Sequence, residues 1–202
     1  MDLYLDNYIM SLVVLISFEH YFKKMIERFQ EYKIEHIIVH FEDLDHFLKT
    51  NRQRIKIFII SGSAQRILRD GLHPNIDKIL KMPVPVIGLC YGFQYMAMQS
   101  GGVLEDGTIR HKIVNQEGVV NYMGNKETIP MWFNHFDKVS SLPVNRVVPT
   151  AEYKVLWKID SRVDGMIVMA HTDKWIGFQF HPEYKKKQFE KYILPLVKDL
   201  PK

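Results

Sequence analysis

Cys90 is the only cysteine among 202 residues, and it stands between two glycines in Gly88-Leu89-Cys90-Tyr91-Gly92. An apolar run over residues 84–89 ends there, and a helical pattern over residues 91–99 begins at once. Gly-x-Cys-x-Gly between a buried strand and a helix is the spacing of a nucleophile elbow. The turn is so tight that side chains two residues either side of the nucleophile would collide. It lifts the sulfur clear of the sheet and sets it at the N-terminus of the helix, whose positive end favours thiolate over thiol. The thiolate is the form that attacks. A lone cysteine is ordinarily an inert apolar filler; the flanking glycines and the strand-to-helix context argue for chemistry instead.

Such a nucleophile needs a base, and the second half of the chain offers one. Residues 175–180 read as a strand that runs into His181-Pro182-Glu183. Residues two apart in an extended segment face the same side, so the His181 imidazole and the Glu183 carboxylate are expected to meet around the proline. Pro182 fixes its own φ and restricts His181. Glu183 would then hold one ring nitrogen and leave the other facing the sulfur. Nucleophile, base and orienting acid together make a catalytic triad. The chain has nine histidines, and most are expected to be surface or capping residues.

These segments carry a family likeness. Gly88-Leu-Cys-Tyr-Gly-Phe-Gln94, with Met96-Ala-Met-Gln99 and Gly101-Gly102 after it, resembles the nucleophile segment of the class I (triad) glutamine amidotransferases. Gly177-Phe-Gln-Phe-His-Pro-Glu183 resembles that family's His-x-Glu segment, and Trp132-Phe-Asn-His-Phe-Asp-Lys-Val139 before Leu142-Pro143 is a third match. Within the family the nearest likeness is to the glutaminase domain of GMP synthetase, and it runs from about residue 12 to residue 184.

The resemblance implies hydrolysis of the glutamine side-chain amide. Cys90 would attack the amide carbon, His181 would pass the thiol proton to the leaving ammonia, and water would clear a γ-glutamyl thioester. Glu183 would orient His181. No metal and no organic cofactor is implied. Gln94 and the backbone of Asn134, His135 and Phe136 would contact the bound glutamine, His135 being expected to be structural rather than catalytic. The backbone N–H of Tyr91 would be one oxyanion donor. The second would come from Gly62 or Ser63, in a loop where the family has Ser-Gly-Gly-Pro and this chain has Ser61-Gly62-Ser63-Ala64. A positive φ at Ser63 would be costly without glycine, and a flipped peptide there would leave the oxyanion hole half built. The implied recipient of the ammonia is a separate ATP-pyrophosphatase (synthetase) subunit that aminates XMP. Two other readings stand beside this one: a stand-alone γ-glutamyl hydrolase or peptidase on the same fold, and a non-catalytic regulatory domain. Asp137 is expected to cap or pair locally, the likeness pointing to a partner-facing role.

Composition agrees. With 47% hydrophobic residues the chain can fill one large domain. One cysteine excludes an internal disulfide and argues against a zinc site. Residues 12–16 are apolar but too few to span a bilayer, and Asp2 and Asp6 precede them, unlike a signal peptide. The expectation is a cytoplasmic protein with no membrane partner. Net charge is +4 with scattered basic residues and no nucleic-acid motif, and Lys185-Lys-Lys187 reads as a solvated helix start.

The elements that must position these residues read as an α/β alternation. Strands are expected at residues 12–16, 34–41, 55–60 and 84–89, and helices at 18–32, 77–81 and 91–99. Beyond Val103 the segments 113–120, 147–148, 153–159, 166–169 and 175–180 are rich in β-formers, and a last helix spans 184–198. The expected fold is doubly wound and flavodoxin-like: a mostly parallel central sheet with helices on both faces and added antiparallel strands. Residues 1–11 read as an extension before a single domain over 12–202. Leu5-Asp-Asn-Tyr8 also resembles a first strand of this family, but about 30 residues would then separate it from the next strand, more than a short crossover needs.

Overall fold

The computed structural model describes residues 12–18, 22–107, 114–148, 151 and 153–198. Its strands are β1 (Leu12–Ser17), β2 (His36–His40), β3 (Ile55–Ile60), β4 (Val86–Leu89), β5 (Val103–Asp106), β6 (Val114–Tyr122), β7 (Asn125–Phe133), β8 (Asp137–Ser141), β9 (Lys158–Val163), β10 (Met166–His171) and β11 (Trp175–Phe178). The α-helical segments are α1 (Lys23–Glu31), α2 (Leu44–Asn51), α3 (Ile67–Asp70), α4 (Asp77–Leu80), α5 (Tyr91–Gln99), α6 (Lys186–Gln188) and α7 (Leu194–Lys198). A π-type stretch, Phe189–Ile193, joins the last two into one continuous helix.

Seven strands form the central sheet in the order β2-β1-β3-β4-β11-β10-β9. From β2 to β11 all neighbours are parallel; β10 and β9 are added antiparallel. The inner strands are almost wholly apolar because both their faces are covered. Alternation then sorts each strand's residues. Val13, Leu15, Ile57 and Ile59 meet Met25 and Phe29 of α1 and Phe189, Tyr192 and Val197 of the C-terminal helix. Val14, Ile16, Phe58 and Ile60 face the other way, onto Ile79, Tyr91, Phe93 and Met96. Helices thus cover both faces. Outside the main sheet, β5 pairs with β8, and the β6–β7 hairpin adds Val120, Met131 and Phe133 to the core under α1.

The expected central strands are present: β1 lies at Leu12–Ser17, and Leu5–Tyr8 falls outside the described residues. Several boundaries move. α1 starts at Lys23, and Phe18 ends β1's trajectory instead, its ring stacked on Phe41 at 5.3 Å and tilted against Tyr91 at 5.0 Å. Residues 147–148 and 153–157 are not strand. Tyr153, Val155 and Trp157 are apolar because they pack onto the core, and the ladder begins only at Lys158. The last helix starts at Lys186, after a tight turn at Pro182–Tyr184.

Candidate active site

β4 lies between β3 and β11 and ends at Leu89, so the chain leaves the middle of the sheet at Cys90. There φ is 50° and ψ is −101°, a conformation that side chains adopt only when their surroundings impose it. Two hydrogen bonds do so. The Cys90 N–H donates to the Phe178 carbonyl at 2.7 Å, and the Cys90 carbonyl accepts from the Gln94 N–H at 3.0 Å, closing the first turn of α5. The glycines are required, though not all by mutual contact. A Cβ on Gly88 would lie 2.7 Å from the Gly92 carbonyl carbon, whereas one on Gly92 would lie 2.3 Å from the Ile60 carbonyl of β3. One on Gly177 would lie 1.9 Å from Phe93 Cδ2, so a third glycine lets α5 settle on the sheet.

His181 follows β11 and is anchored by its N–H to the Trp132 carbonyl at 3.0 Å. Its Nδ1 is 2.8 Å from Glu183 Oε1, and both side chains are buried. The two meet differently from the strand alternation expected. Pro182–Tyr184 is a single 3₁₀ turn, and that turn brings the carboxylate back under the ring. Burial disfavours a charged imidazole, but the adjoining Glu183 carboxylate and the hydrogen bond with Cys90 outweigh it, raising His181 to about 10. With Nδ1 occupied by Glu183, Nε2 is the nitrogen left for the sulfur. Arg28 of α1 supports the turn from outside, its Nε donating to the Glu183 carbonyl at 3.0 Å.

Around the sulfur stand two further groups. The Asn134 carbonyl lies 3.7 Å from Sγ and can accept its S–H, and Gln179 Nε2 lies 3.9 Å away, donating toward it. Gln179 is wholly buried. The sequence reading passed over it, although its spacing of two from His181, within the segment read as a strand, places both on the same side. Gln94 turns its amide to the Asp137 carbonyl at 2.5 Å. His135 is buried with no hydrogen-bond partner on either ring nitrogen among the described residues. Burial, and then the charge of His181, lower it to about 4, so it is neutral.

Gly62 sits against the pair: a Cβ there would lie 3.3 Å from His181 Cε1 and 3.7 Å from Cys90 Cβ. Its peptide with Ser63 therefore borders the reacting atoms. Tyr91, first in α5, has no intrahelical acceptor for its N–H. Ser63 avoids the conformation that would be costly without glycine. Positive φ outside glycine occurs among the described residues at Lys33, Cys90, Met123 and Asp164, and Ser63 is not among them. Serine fits this backbone without penalty, and its Oγ accepts the Gln65 N–H at 3.0 Å.

The local partner expected for Asp137 is corrected. Its partner is not local but Arg66, 71 residues away, whose Nε and Nη2 reach Oδ1 at 3.0 and 2.8 Å. The same guanidinium reaches Asp106 at 2.9 Å and lies 5.2 Å over the Phe136 ring. Among the described residues no group of three or more His, Cys, Asp or Glu is gathered as a metal site, and no helix is long and apolar enough to cross a membrane.

Comparisons with known proteins fit this geometry. The family model described as glutamine amidotransferase class-I matches residues 14–197. GMP synthase [glutamine-hydrolyzing] of Aquifex aeolicus is 29% identical over 191 residues, taking in 90% of this chain and 35% of that protein. The protein of the same name from Clostridium novyi is 30% identical over 194 residues, with 91% and 35% covered. The chain thus spans about a third of the length of these relatives. Among solved structures, a putative GMP synthase subunit from Thermoplasma acidophilum superposes with a TM-score of 0.66 at 17% identity, covering 93% of this chain and 92% of that one. A glutamine amidotransferase from Thermotoga maritima gives 0.66 at 16% identity, with 91% and 80% covered. These two share the fold.

Proposed function

The chain belongs to the class-I glutamine amidotransferases, and from that premise we propose that it hydrolyses the side-chain amide of glutamine at Cys90. The observation that carries this reading is the buried His181–Glu183 pair at 2.8 Å, set beside the nucleophile elbow. The proton of the Cys90 thiol is held on His181, which the Glu183 carboxylate keeps charged, and the thiolate adds to the amide carbon. The resulting oxyanion is held by the Tyr91 N–H and by an N–H of the Gly62–Ser63 segment. Collapse expels ammonia, which leaves with the proton from His181. A water, deprotonated by the same imidazole, then adds to the thioester and releases glutamate. Gln94 and the backbone of residues 134–136 shape the glutamine site.

The ammonia is passed to a separate ATP-pyrophosphatase subunit that aminates XMP. The relatives named glutamine-hydrolysing GMP synthase support glutamine as the source and this kind of acceptor. The test has two arms. A glutamine-like chloroketone should label the protein once, at Cys90, and Cys90→Ala should abolish both labelling and ammonia release. Adding the ATP-pyrophosphatase subunit with ATP and XMP should raise glutamine turnover and yield GMP. Ammonia release undiminished in Cys90→Ala would end the covalent mechanism. Turnover indifferent to the subunit would favour a stand-alone γ-glutamyl hydrolase.

A further inference from the structure

Two irregular strips of backbone border Cys90: residues 61–66, after β3, and residues 134–136, before β8. Neither belongs to a ladder or helix that would fix it. One ion pair, buried on its Asp137 side, joins them. Asp137 is 1% exposed; its Oδ1 takes both Arg66 bonds, and its Oδ2 accepts the Leu68 N–H at 3.0 Å. Its carbonyl accepts from Gln94 of α5, and Arg66 is held in turn by Asp106 of β5. Asp137 therefore ties the loop carrying Gly62 and Ser63 through its carboxylate, and the helix of the nucleophile through its carbonyl, to the wall carrying the Asn134 carbonyl.

We propose that Arg66 is a positioning residue for the reaction: through Asp137 it sets the Gly62–Ser63 peptide and the 134–136 wall at a fixed distance from the sulfur. This rests on the glutaminase reading above. The pair is more than a surface contact. Arg66 sets Nε and Nη2 on one buried oxygen, and the same Nη2 also reaches Asp106 on a second strand, a geometry that lysine cannot reproduce. It lies only three residues beyond Ser63, and the intervening Ala64 and Gln65 are exposed, so Arg66 is the first firm anchor after the proposed oxyanion segment.

The test uses Arg66→Met combined with Asp137→Asn, which removes the pair without stranding a buried charge, and Arg66→Lys alone. A misplacement of about 1 Å at a reacting centre costs on the order of a hundredfold. The double variant should therefore lose about ten- to hundredfold in kcat/KM for glutamine, with Arg66→Lys intermediate. Alkylation of Cys90 by iodoacetamide needs the thiolate but no oxyanion hole, so its rate and pH profile should stay close to wild type. Unchanged kcat/KM in the double variant, or an equal fall in alkylation that marks collapse of the whole site, would overturn the proposal. Wild-type protein that neither releases ammonia nor reacts with the glutamine-like chloroketone would instead sink the glutaminase reading itself.

Discussion

His135 gives the site an acid limit that can be worked out and measured. In the unfolded chain its imidazole titrates near 6.5; in the fold, burial and the charge on His181 lower it to about 4. Between those values the unfolded chain holds one proton more than the folded one. Stability therefore falls as pH drops from about 6.5 to about 4, and this contribution is flat below that. At about 1.4 kcal/mol per tenfold, the full loss is about 3 kcal/mol. His135→Gln removes the titration while keeping a polar side chain at the same place. Urea unfolding of both proteins at several pH values isolates the effect, because carboxylates such as Asp70, held at about 2 mainly by its bonds to Arg69 and the Arg66 N–H, are common to both. The advantage of the variant should grow by about 2–3 kcal/mol from pH 7 to about pH 4.5, whatever its constant offset. Parallel stability curves would refute the reasoning, since they would mean that the buried imidazole accepts a proton as readily as a free one.

Other outcomes follow from the same geometry. His181 is raised, so the stability it contributes is complete below about 6.5 and is lost as pH rises toward about 10. Glu183→Gln should flatten that alkaline loss in unfolding curves and lower kcat, and an unchanged alkaline slope would count against the pair. Gly177→Ala places a methyl group into the buried Phe93 ring, so the melting temperature should fall by about 5 °C or more; a neutral result would show that α5 can shift off the sheet. Arg28→Met should reduce kcat several-fold with little change in KM, because it loosens the turn that carries Glu183. Equal activity would confine Arg28 to surface packing. Ser63→Gly should raise turnover, since glycine alone reaches the positive φ at no cost, and an unchanged rate would show that the loop is already competent with serine. A rise of about a hundredfold would reveal an oxyanion donor pointing the wrong way in the native loop.

What the sequence made legible was chemistry written in short spacings. Cys90 with its two glycines, and His181 with Glu183, each lie within a few residues, so their types and intervals carry the meaning locally. β3 and β4 were legible for a related reason: covered on both faces, they have no polar alternation to confuse the reading. The misreadings have physical causes. β7 contains Pro130 midway, which argues against a central strand; it is tolerated because β7 pairs only with β6 in a two-stranded ladder. β8 is short and half polar. Residues 153–157 imitate a strand because apolar side chains there are needed for packing, with Trp157 buried and its Nε1 donating to Ser100 at 2.9 Å.

The least legible parts are those that hold the reacting groups still. Asp137 and Arg66 meet because the loop that leaves β3 passes the start of β8, and no periodicity joins positions 71 residues apart. Gln179 was within reach of a parity argument, but a glutamine in a strand carries no chemical signature until its neighbour is known to be a nucleophilic sulfur. Reactive atoms must be close to one another to act on one substrate, and here local turns supply much of that closeness. Rigidity has a different source. The elbow holds a non-glycine residue at φ 50° because strands β3 and β11 leave it no other course, and that constraint exists only after distant segments have assembled. A substitution at Cys90 or His181 therefore tests the reaction, whereas one at Gly177, Arg28 or Arg66 tests the frame. If the frame were slack, the second group would leave kcat untouched.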